Sequence, residues 1–410
     1  MSRKSFINAF WGTLITRAIG LWNNQFPVAQ ASRPESSEAI GVARGDPLQR
    51  LGLKSGELRD GPVSGDIHFA CATSYLNNAR AVVTHSIDDV SEFVQATLDA
   101  LDKYDVKATV FIETAMKAIP AKARSALWTR LQKSIDNGHE VGAHSRTHRC
   151  ARPDTPAFCA KAYSKAEVQG ARDDILAKTT QPHVWAWAYP YGNCAAYDFI
   201  QQKLAEAGFL VARTYPGEEQ NLHLVPDLQT FADKPYQAAY TQAVQNKGGI
   251  DNTGRSNVAE LNTKFDEVLR KGGIYSFVSH PRCLDLGPDK FYEQHLAHIG
   301  KRTDVWYVPM GPLYAYKTVA ANTQVRPLDR GTARGRFVVY NNLDCQIFNT
   351  SITLGFSIPE DLMQPTVQVG GKTLCPWTEG PIDRWNSQYF RREGKTLLVT
   401  VQPNSIVEFH

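Results

Sequence analysis

The sequence predicts an α/β fold: a (β/α) barrel over residues 78–322, followed by an all-β, sandwich-like domain over residues 323–410. Two observations support this prediction. From about residue 78 onward, short apolar runs alternate with segments of helical periodicity in about six or seven units, which is typical of a parallel sheet. After about residue 322 the apolar periodicity becomes two, and no helical pattern is evident.

The expected barrel elements follow one another closely. Strands are predicted at 81–84, 107–112, 140–143, 184–188, 209–213, 274–279 and 305–308. Helices are predicted at 91–104, 121–137, 164–177, 197–207, 257–271 and 291–299. This many units favours a closed or nearly closed barrel, whose active site would lie at the carboxyl ends of the strands.

The remaining segments are predicted as follows. Strands of the C-terminal sandwich are expected at 337–340, 351–356, 366–369, 397–401 and 406–409. Residues 32–77 are rich in Gly, Pro, Ser and charge and are predicted to form an extended or wrapping segment. Residues 1–31 have the order of a secretory signal peptide: Arg3 and Lys4, an apolar stretch, then Ala29-Gln30-Ala31. Such a segment predicts a secreted or extracytoplasmic protein, although Arg17 also permits an amphipathic helix that stays on the chain.

The overall composition is that of a soluble globular protein, with 42% hydrophobic and 21% charged residues. The 45 basic and 41 acidic residues give a net charge of +4, which is too close to balance to indicate a nucleic-acid partner. No uninterrupted apolar run reaches ~18 residues, so no stable membrane span is expected. The oligomeric state is left open.

The seven cysteines contain no Cys-x-x-Cys pair, which argues against a structural zinc knuckle. Cys150 and Cys159 are close enough in sequence to form a disulfide, and so are Cys345 and Cys375 in the β-rich segment. Such pairs would fit an oxidising compartment. Scattered buried thiols are the alternative.

Asp88 and Asp89 follow an apolar run, and His144 and His148 follow a later one. Adjacent residues leaving a strand point in different directions, so one aspartate can bind a metal while the other accepts a proton. Taken alone, the Asp-Asp pair also suits a turn or a helix cap. Two histidines four apart on a helical turn would share one face and could hold one ion together with a carboxylate, leaving positions open for water and substrate.

Four motifs in order resemble those of the polysaccharide deacetylase family, also called the NodB-homology domain or carbohydrate esterase family 4. They are AVVTHSIDD (81–89), GHEVGAHSRTH (138–148), WAYPYG (187–192) and IYSFVSHP (274–281). The resemblance covers residues from about 80 to 320. It implies a distorted (β/α) barrel and metal-dependent removal of acetyl groups from N-acetylated sugars of a polysaccharide or oligosaccharide.

The resemblance also implies roles for individual residues. Asp88 matches the general base, and His280 matches the general acid. Asp89, His144 and His148 match the metal triad, and the backbone N–H of Tyr191 matches an oxyanion-hole donor. One divalent ion is implied; zinc is the default for this ligand set, and cobalt, nickel or manganese also suit an open site.

The chain departs from the family pattern at several positions. Ile87 and Val90 flank the aspartates where an aromatic residue and a glycine are usual, and Ala188 stands where relatives carry an arginine that orients the base. Arg213 is the candidate replacement. Trp187, Tyr191 and Arg213 are predicted to contact substrate, and Asp227 is a candidate partner of His280. An O-acetyl esterase and a non-catalytic carbohydrate-binding protein remain as alternative functions.

Overall fold

The computed structural model of the chain describes residues 42–43, 45–117, 119–149, 154–215, 225–239, 242–244, 258–329, 331–362, 364–378 and 385–410. The predicted signal segment, residues 1–31, lies outside these ranges. The first described elements are a short helix, α1 (Pro47–Arg50), and two strands, β1 (Val63–Ser64) and β2 (Ile67–Ala72). Within the described ranges no helix is long and apolar enough to cross a membrane.

A parallel sheet forms the centre of the molecule. Its strands are β3 (Ala81–Asp88), β4 (Ala108–Ile112), β5 (Glu140–Ala143), β6 (Ala186–Ala188), β7 (Val211–Arg213), β8 (Gln242–Ala243), β9 (Gly273–Ser279) and β10 (Val305–Tyr307). Their order is β7-β6-β5-β4-β3-β9-β8, and β10 pairs with the first half of β3. A parallel bridge between Arg213 and Ala238 continues the sheet beyond β7. The predicted α/β fold is therefore confirmed as a distorted, incompletely closed barrel.

Helices connect the strands. They are α2 (Val94–Lys103), α3 (Ala121–Asp136), α4 (Pro156–Ala162), α5 (Lys165–Lys178), α6 (Asp198–Glu206), α7 (Val258–Lys271), α8 (Phe291–Ile299) and α9 (Met310–Asn322). Helix α9 was not among the sequence predictions. Gly311 and Pro312 stand in its first turn, where proline is tolerated because that N–H has no partner within the helix.

Alternation along the strands divides the sheet into two faces. Val83, Val110, Val141 and Trp187 point toward the connecting helices. The residues between them, such as Val82, Phe111 and Ala188, pack on the other face against α9 and residues 225–238. This period of two decides which side chains can reach the site at the strand ends.

Two antiparallel sheets form the C-terminal sandwich. Its strands are β11 (Gln324–Pro327), β12 (Gly335–Tyr340), β13 (Ile352–Ser357), β14 (Val367–Val369), β15 (Lys372–Thr373), β16 (Tyr389–Glu393), β17 (Thr396–Val401) and β18 (Ser405–Phe409). One sheet has the order β1-β2-β13-β17-β16, and the other has β11-β12-β18-β14-β15. Phe337, Phe356 and Phe409 meet between them with ring centroids 4.9–6.1 Å apart. Each buried aromatic side chain of this kind contributes about 1.5–3 kcal/mol.

The sandwich draws strands from both ends of the described chain. Strand β2, from the segment predicted to wrap, pairs with β13, so residues 63–72 complete a sheet formed mainly by residues 352–401. Barrel side chains also enter the sandwich core: Trp185 and Leu210 belong to it, and the Trp185 indole N–H donates to the Ile347 carbonyl at 2.6 Å. The barrel and sandwich accordingly lie in one compact unit.

The disulfide pairing differs from the sequence prediction. Cys159 bonds to Cys194, with sulfur atoms 2.04 Å apart, rather than to Cys150, which lies outside the described residues. Cys345 and Cys375, the other predicted pair, are both free thiols. Sequence proximity misled here because the fold brings α4 next to the loop after β6, 35 residues further along the chain.

Candidate metal centre and catalytic cleft

Asp88 ends β3 on the face of the sheet that packs against α9, and the Arg213 side chain meets it there. The Arg213 guanidinium donates to both carboxylate oxygens of Asp88, and the two side chains are 1% and 3% exposed. Burial opposes ionisation of Asp88, but Arg213 and the nearby His144 and His280 outweigh it and hold its pKa below the usual value. Asp88 is therefore a buried carboxylate that can accept a proton.

The packing around Arg213 explains how an arginine from β7 reaches β3. The guanidinium carbon lies 5.4 Å from the centroid of the Phe111 ring, so it crosses the sheet over an aromatic face. The Phe111 ring in turn lies over Gly142, where an added Cβ would approach ring carbons to 2.7 Å. Gly142 thus leaves room for the ring that supports Arg213.

Asp89 occupies a left-handed turn immediately after Asp88, with φ of 66°. Its Oδ1 atom lies 3.6 Å from His144 Nε2 and 3.3 Å from His148 Nε2, whereas its Oδ2 atom lies 3.3 Å from the Arg282 guanidinium. The Glu113 carboxylate accepts the N–H of Val90 at 3.1 Å, directly after this turn. Asp89 is therefore held in an unfavourable backbone conformation by contacts on both sides.

His144 and His148 lie in a loop after β5 and not on the helical turn that their spacing predicted. Ser145 and His148 both have positive φ, 62° and 53°, so the chain doubles back within five residues. The loop still brings the two Nε2 atoms to 3.1 Å from each other. The prediction that the pair shares one side was thus correct for the imidazoles but wrong about the backbone.

Glu167 on α5 holds this loop. It is 6% exposed, and its carboxylate accepts the backbone N–H groups of Arg146 and Thr147 at 3.1 and 2.8 Å. The Thr147 hydroxyl donates to it as well, at 2.7 Å. Sequence reasoning missed Glu167 because a single glutamate on a helix has no distinguishing pattern.

The donor set formed by Asp89, His144 and His148 fits a divalent cation. One ligand atom from each residue lies within 4.8 Å of the other two. His144 Nδ1 is 2.8 Å from the Ala188 carbonyl oxygen, which requires a proton on Nδ1 and leaves a lone pair on Nε2. Burial, followed by the neighbouring His144, lowers the pKa of His148 to about 4. One nitrogen of each imidazole and a carboxylate oxygen of Asp89 therefore face one point, as a metal ion requires.

His280 follows β9 and faces the same cavity. It is 8% exposed, its Nε2 lies 3.9 Å from Asp88 Oδ2, and the Tyr215 ring packs edge-on against it at 5.5 Å. Burial lowers the pKa of His280, although Asp88 and Asp89 act in the opposite direction. The protonated form of this imidazole is therefore a stronger proton donor than an exposed histidine.

Tyr191 stands in a tight turn after β6, with φ of 57°, and its side chain is 44% exposed. The next residue, Gly192, has φ of 68°, and a Cβ there would come within 2.3 Å of the Tyr215 carbonyl oxygen. The Tyr191 ring also packs against His148, with centroids 4.7 Å apart. The turn therefore places Tyr191 beside the candidate metal ligands.

These side chains line one cavity of about 430 Å³ at the carboxyl end of the sheet. Asp88, Asp89, His144, His148, Tyr191 and His280 all contribute to its wall. Four charged residues that the sequence had not singled out join them: Glu92, Glu113, Lys117 and Arg282. Glu113 could have been found from sequence, since it follows the apolar strand 107–112 as Asp88 follows its own strand.

Three sequence assignments need correction. Trp187 is fully buried between Tyr163 and Phe209, because its position on β6 points toward the helices and away from the cavity. Arg213 does not line the cavity; it lies behind Asp88 and contacts that carboxylate rather than the cavity space. Asp227 accepts hydrogen bonds from Thr230 and lies near the start of β9, at the opposite end from His280.

Part of this chain matches a known protein family. Residues 76–212 match the family described as polysaccharide deacetylase, which confirms the resemblance of the first three motifs; the fourth, at 274–281, lies beyond the matched residues. A search of curated proteins gave no significant match.

Three solved structures are similar to this chain. A Mycobacterium smegmatis protein assigned to the polysaccharide deacetylases is 14% identical, with a TM-score of 0.44 over 62% of this chain and 96% of that one. A Streptomyces lividans family 4 carbohydrate esterase is 15% identical, with a TM-score of 0.33 over 54% and 86%. A Bacillus anthracis family 4 pseudoenzyme is 18% identical, with a TM-score of 0.30 over 53% and 58%.

Proposed function

We propose that this chain, whose residues 76–212 match the polysaccharide deacetylases, is a metal-dependent hydrolase that removes acetyl groups from N-acetylated sugars of a glycan. One observation carries the proposal: the Asp89, His144 and His148 ligand atoms converge in the cavity that a buried Asp88 carboxylate and His280 also face. The stability of the fold does not require three electron-pair donors around one point with an ionised carboxyl group beside them. Such clusters are typical of functional sites.

Each residue of the site has a separate role in the proposed amide hydrolysis. Asp89, His144 and His148 would hold a divalent ion, with zinc as the default, and such an ion polarises a carbonyl and acidifies water. Asp88 accepts the proton of the attacking water as a new carbon–oxygen bond forms at the acetyl carbon. The Tyr191 backbone N–H donates to the oxyanion. His280 donates a proton to the sugar nitrogen as the carbon–nitrogen bond breaks, releasing acetate and a free amine.

Arg213 has a defined part in this scheme. Its two hydrogen bonds to Asp88 fix the carboxylate and keep its pKa low, so that Asp88 is ionised before catalysis. Relatives use an arginine at the position of Ala188 for this purpose. Here the same charge comes from the neighbouring strand, which supports retention of the reaction despite the altered motif.

Acetate release provides the direct test. The full chain would be stripped with a chelator, reloaded with zinc, cobalt, nickel or manganese, and assayed on a panel of N-acetylated and O-acetylated glycans. We expect acetate from at least one N-acetylated substrate, loss of activity on chelation, and recovery on metal addition. Metal binding without acetate from any substrate would instead indicate a binding protein.

An O-acetyl esterase on the same site is the second candidate. It is favoured by the lowered pKa of His280, because an alcohol leaves without full protonation whereas an amine does not. A His280→Ala variant tests whether the esterase remains a candidate. A much larger rate loss on the amide than on the matched ester identifies His280 as the acid for the amine and leaves both activities open. Equal losses on both count against the esterase.

A further inference from the structure

A second cavity of about 430 Å³ lies where the barrel meets the sandwich, and we refer to it as the junction groove. Its wall is formed by Pro182, Asn341, Leu343, Cys345, Gln346, Phe348, Asn349, Thr350, Gln402, Pro403 and Asn404. Pro182 precedes β6, whereas Tyr191 follows that strand. The junction groove is therefore at the amino end of the barrel strand, away from the catalytic cleft.

The junction groove has an unusual lining. Five of its eleven residues carry carboxamide side chains, and none carries a charge, in a chain with 21% charged residues. The catalytic cleft differs in this respect, since it contains four carboxylates together with Lys117 and Arg282. The ligand suited to the junction groove is thus uncharged and polar.

Only some of the carboxamide donors and acceptors form hydrogen bonds within the protein. Gln402 Nε2 donates to Asn349 Oδ1 at 2.6 Å, and Asn404 Oδ1 accepts the Asn341 N–H at 3.2 Å. Within the described ranges, no protein partner is found for Gln402 Oε1, Asn349 Nδ2 or Asn404 Nδ2. Each of these three residues therefore keeps a donor or an acceptor for a ligand.

A buried hydroxyl adds an independent observation. Thr350 is 1% exposed, lines the junction groove, and its Oγ1 atom has no hydrogen-bond partner among the described residues. A buried polar group without a partner destabilises the protein, so a ligand hydroxyl that reached it would bind more tightly.

We propose that the junction groove binds a neutral sugar unit of a glycan. Sugar hydroxyls both donate and accept, which matches the mixed set left open on Gln402, Asn349 and Asn404. A uronate or phosphate would find no cationic side chain in the lining, and an apolar ligand would leave the carboxamides without partners. Only a polar, uncharged ligand satisfies both constraints.

An aromatic side chain stands at the margin of the groove. A smaller cavity of about 170 Å³ shares Pro182 and Asn349 with it and includes the half-buried Trp385 together with one carboxylate, Asp136. Trp385 packs edge-on against Trp185 at 6.2 Å and so presents a fixed indole next to the groove. On a polymeric ligand, this second site would raise the effective concentration of the chain at the glycan.

Hydrogen–deuterium exchange on the full chain tests the proposal. The probes are tetramers of N-acetylglucosamine, glucose and xylose, with a galacturonate tetramer as the charged comparison. We expect at least one neutral tetramer to slow exchange at residues 341–350 and 402–404, and galacturonate to have no effect there. No slowing with any neutral tetramer, slowing confined to peptides of the catalytic cleft, or equal slowing by galacturonate would each overturn the proposal.

Variants make the test specific. Gln346→Ala combined with Gln402→Ala should raise the half-saturating tetramer concentration about tenfold at these peptides, because two hydrogen-bonding side chains are lost. Gln368→Ala on β14, outside the groove, is the matched control and should leave the half-saturating tetramer concentration unchanged. An equal rise in the control and in the double variant would refute the assignment. Acetate release from a monosaccharide substrate should be the same in all three proteins. Because the readout is binding, the result holds whether or not the chain proves to be a deacetylase.

Discussion

Arg213 from β7 and Asp88 from β3 form a buried, two-fold hydrogen-bonded ion pair across three intervening strands of the sheet. The two residues are 125 positions apart in the chain. Both lie on the same face of their strands, and Phe111 on β4 supports the guanidinium between them. The pair supplies the candidate base with the positive partner that the altered third motif lacks.

Replacing Arg213 by lysine should lower acetate release about tenfold to a hundredfold without lowering metal content. Lysine keeps the charge, but its flexible ammonium chain lacks the planar guanidinium that lies over the Phe111 ring, so the carboxylate loses its fixed orientation. Arg302→Lys is the control, since Arg302 also donates to both oxygens of one aspartate, Asp304, through Nε and one terminal nitrogen, at a half-exposed position. Steady-state kinetics with metal analysis provides the measurement; full activity of Arg213→Lys would argue against an orienting role.

Variants at Asp88 and Asp89 should distinguish metal binding from proton transfer. Asp89→Ala removes one of three candidate ligands and should weaken metal affinity by more than the ~10–100-fold that loss of a residue supporting a ligand costs. Asp88→Asn should retain the metal and lose most of the activity, because an amide cannot accept the water proton. Equilibrium dialysis against zinc, beside acetate release, checks both. Equal metal loss in the two variants would contradict this division.

Glu113 should act on the metal site through the backbone of the Asp89 turn. Its carboxylate accepts the Val90 N–H, and burial raises its pKa. Glu113→Ala should therefore weaken zinc affinity, whereas Glu113→Gln, whose amide oxygen can still accept that N–H, should restore most of it. Zinc titration in the absence of substrate measures the zinc affinity of each variant directly. Loss in both variants would show that the charge, and not the hydrogen bond, is what matters.

The Cys159–Cys194 disulfide should stabilise the chain and the Tyr191 turn. It closes a 35-residue separation, and Cys194 lies three residues after Tyr191. A Cys159→Ser, Cys194→Ser variant should lose about 2–4 kcal/mol of unfolding free energy. Denaturant unfolding with and without reductant measures this, with Cys71→Ser, an exposed free thiol, as control. If reductant still lowers the unfolding free energy of the double variant, the loss of stability does not come from this disulfide.

Glu140 should make stability depend on pH. This carboxyl accepts hydrogen bonds from Thr109 and the N–H of Gly311 at the start of α9, yet burial dominates and raises its pKa to about 7 from 4.5. The folded state therefore holds the proton more tightly than the unfolded state. Its contribution is complete below about pH 4.5 and is lost as the pH rises through about 7.

The Glu140→Gln variant isolates that contribution. Between pH 5 and pH 8 the unfolding free energy of the unmodified chain should fall, relative to this variant, by an amount on the order of 2–3 kcal/mol. Glu267→Gln, at an exposed helix position, is the control and should show no such difference. Urea unfolding at the two pH values is the measurement; parallel pH profiles for Glu140→Gln and the unmodified chain would exclude the effect.

Local pattern determined a large part of this protein from the sequence alone. The strand 140–143 and the helix 291–299 were predicted with the bounds that the structure has, because period and end residues are encoded within each segment. The resemblance to the polysaccharide deacetylases has the same basis, since its motifs each include a strand end. Since parallel strands bring their carboxyl ends to one edge, Asp88, Asp89, His144, Tyr191 and His280 could be expected to converge.

Tertiary structure alone decided the contacts between distant segments. Pairing of Cys159 with Cys194, addition of β2 to the sandwich, and the approach of Arg213 to Asp88 all join residues whose separation carries no local pattern. The same holds for Trp187, whose strand was predicted but whose face depends on what packs on each side. Sequence periodicity specifies which residues alternate; only packing of the whole chain specifies which side becomes core and which becomes cleft.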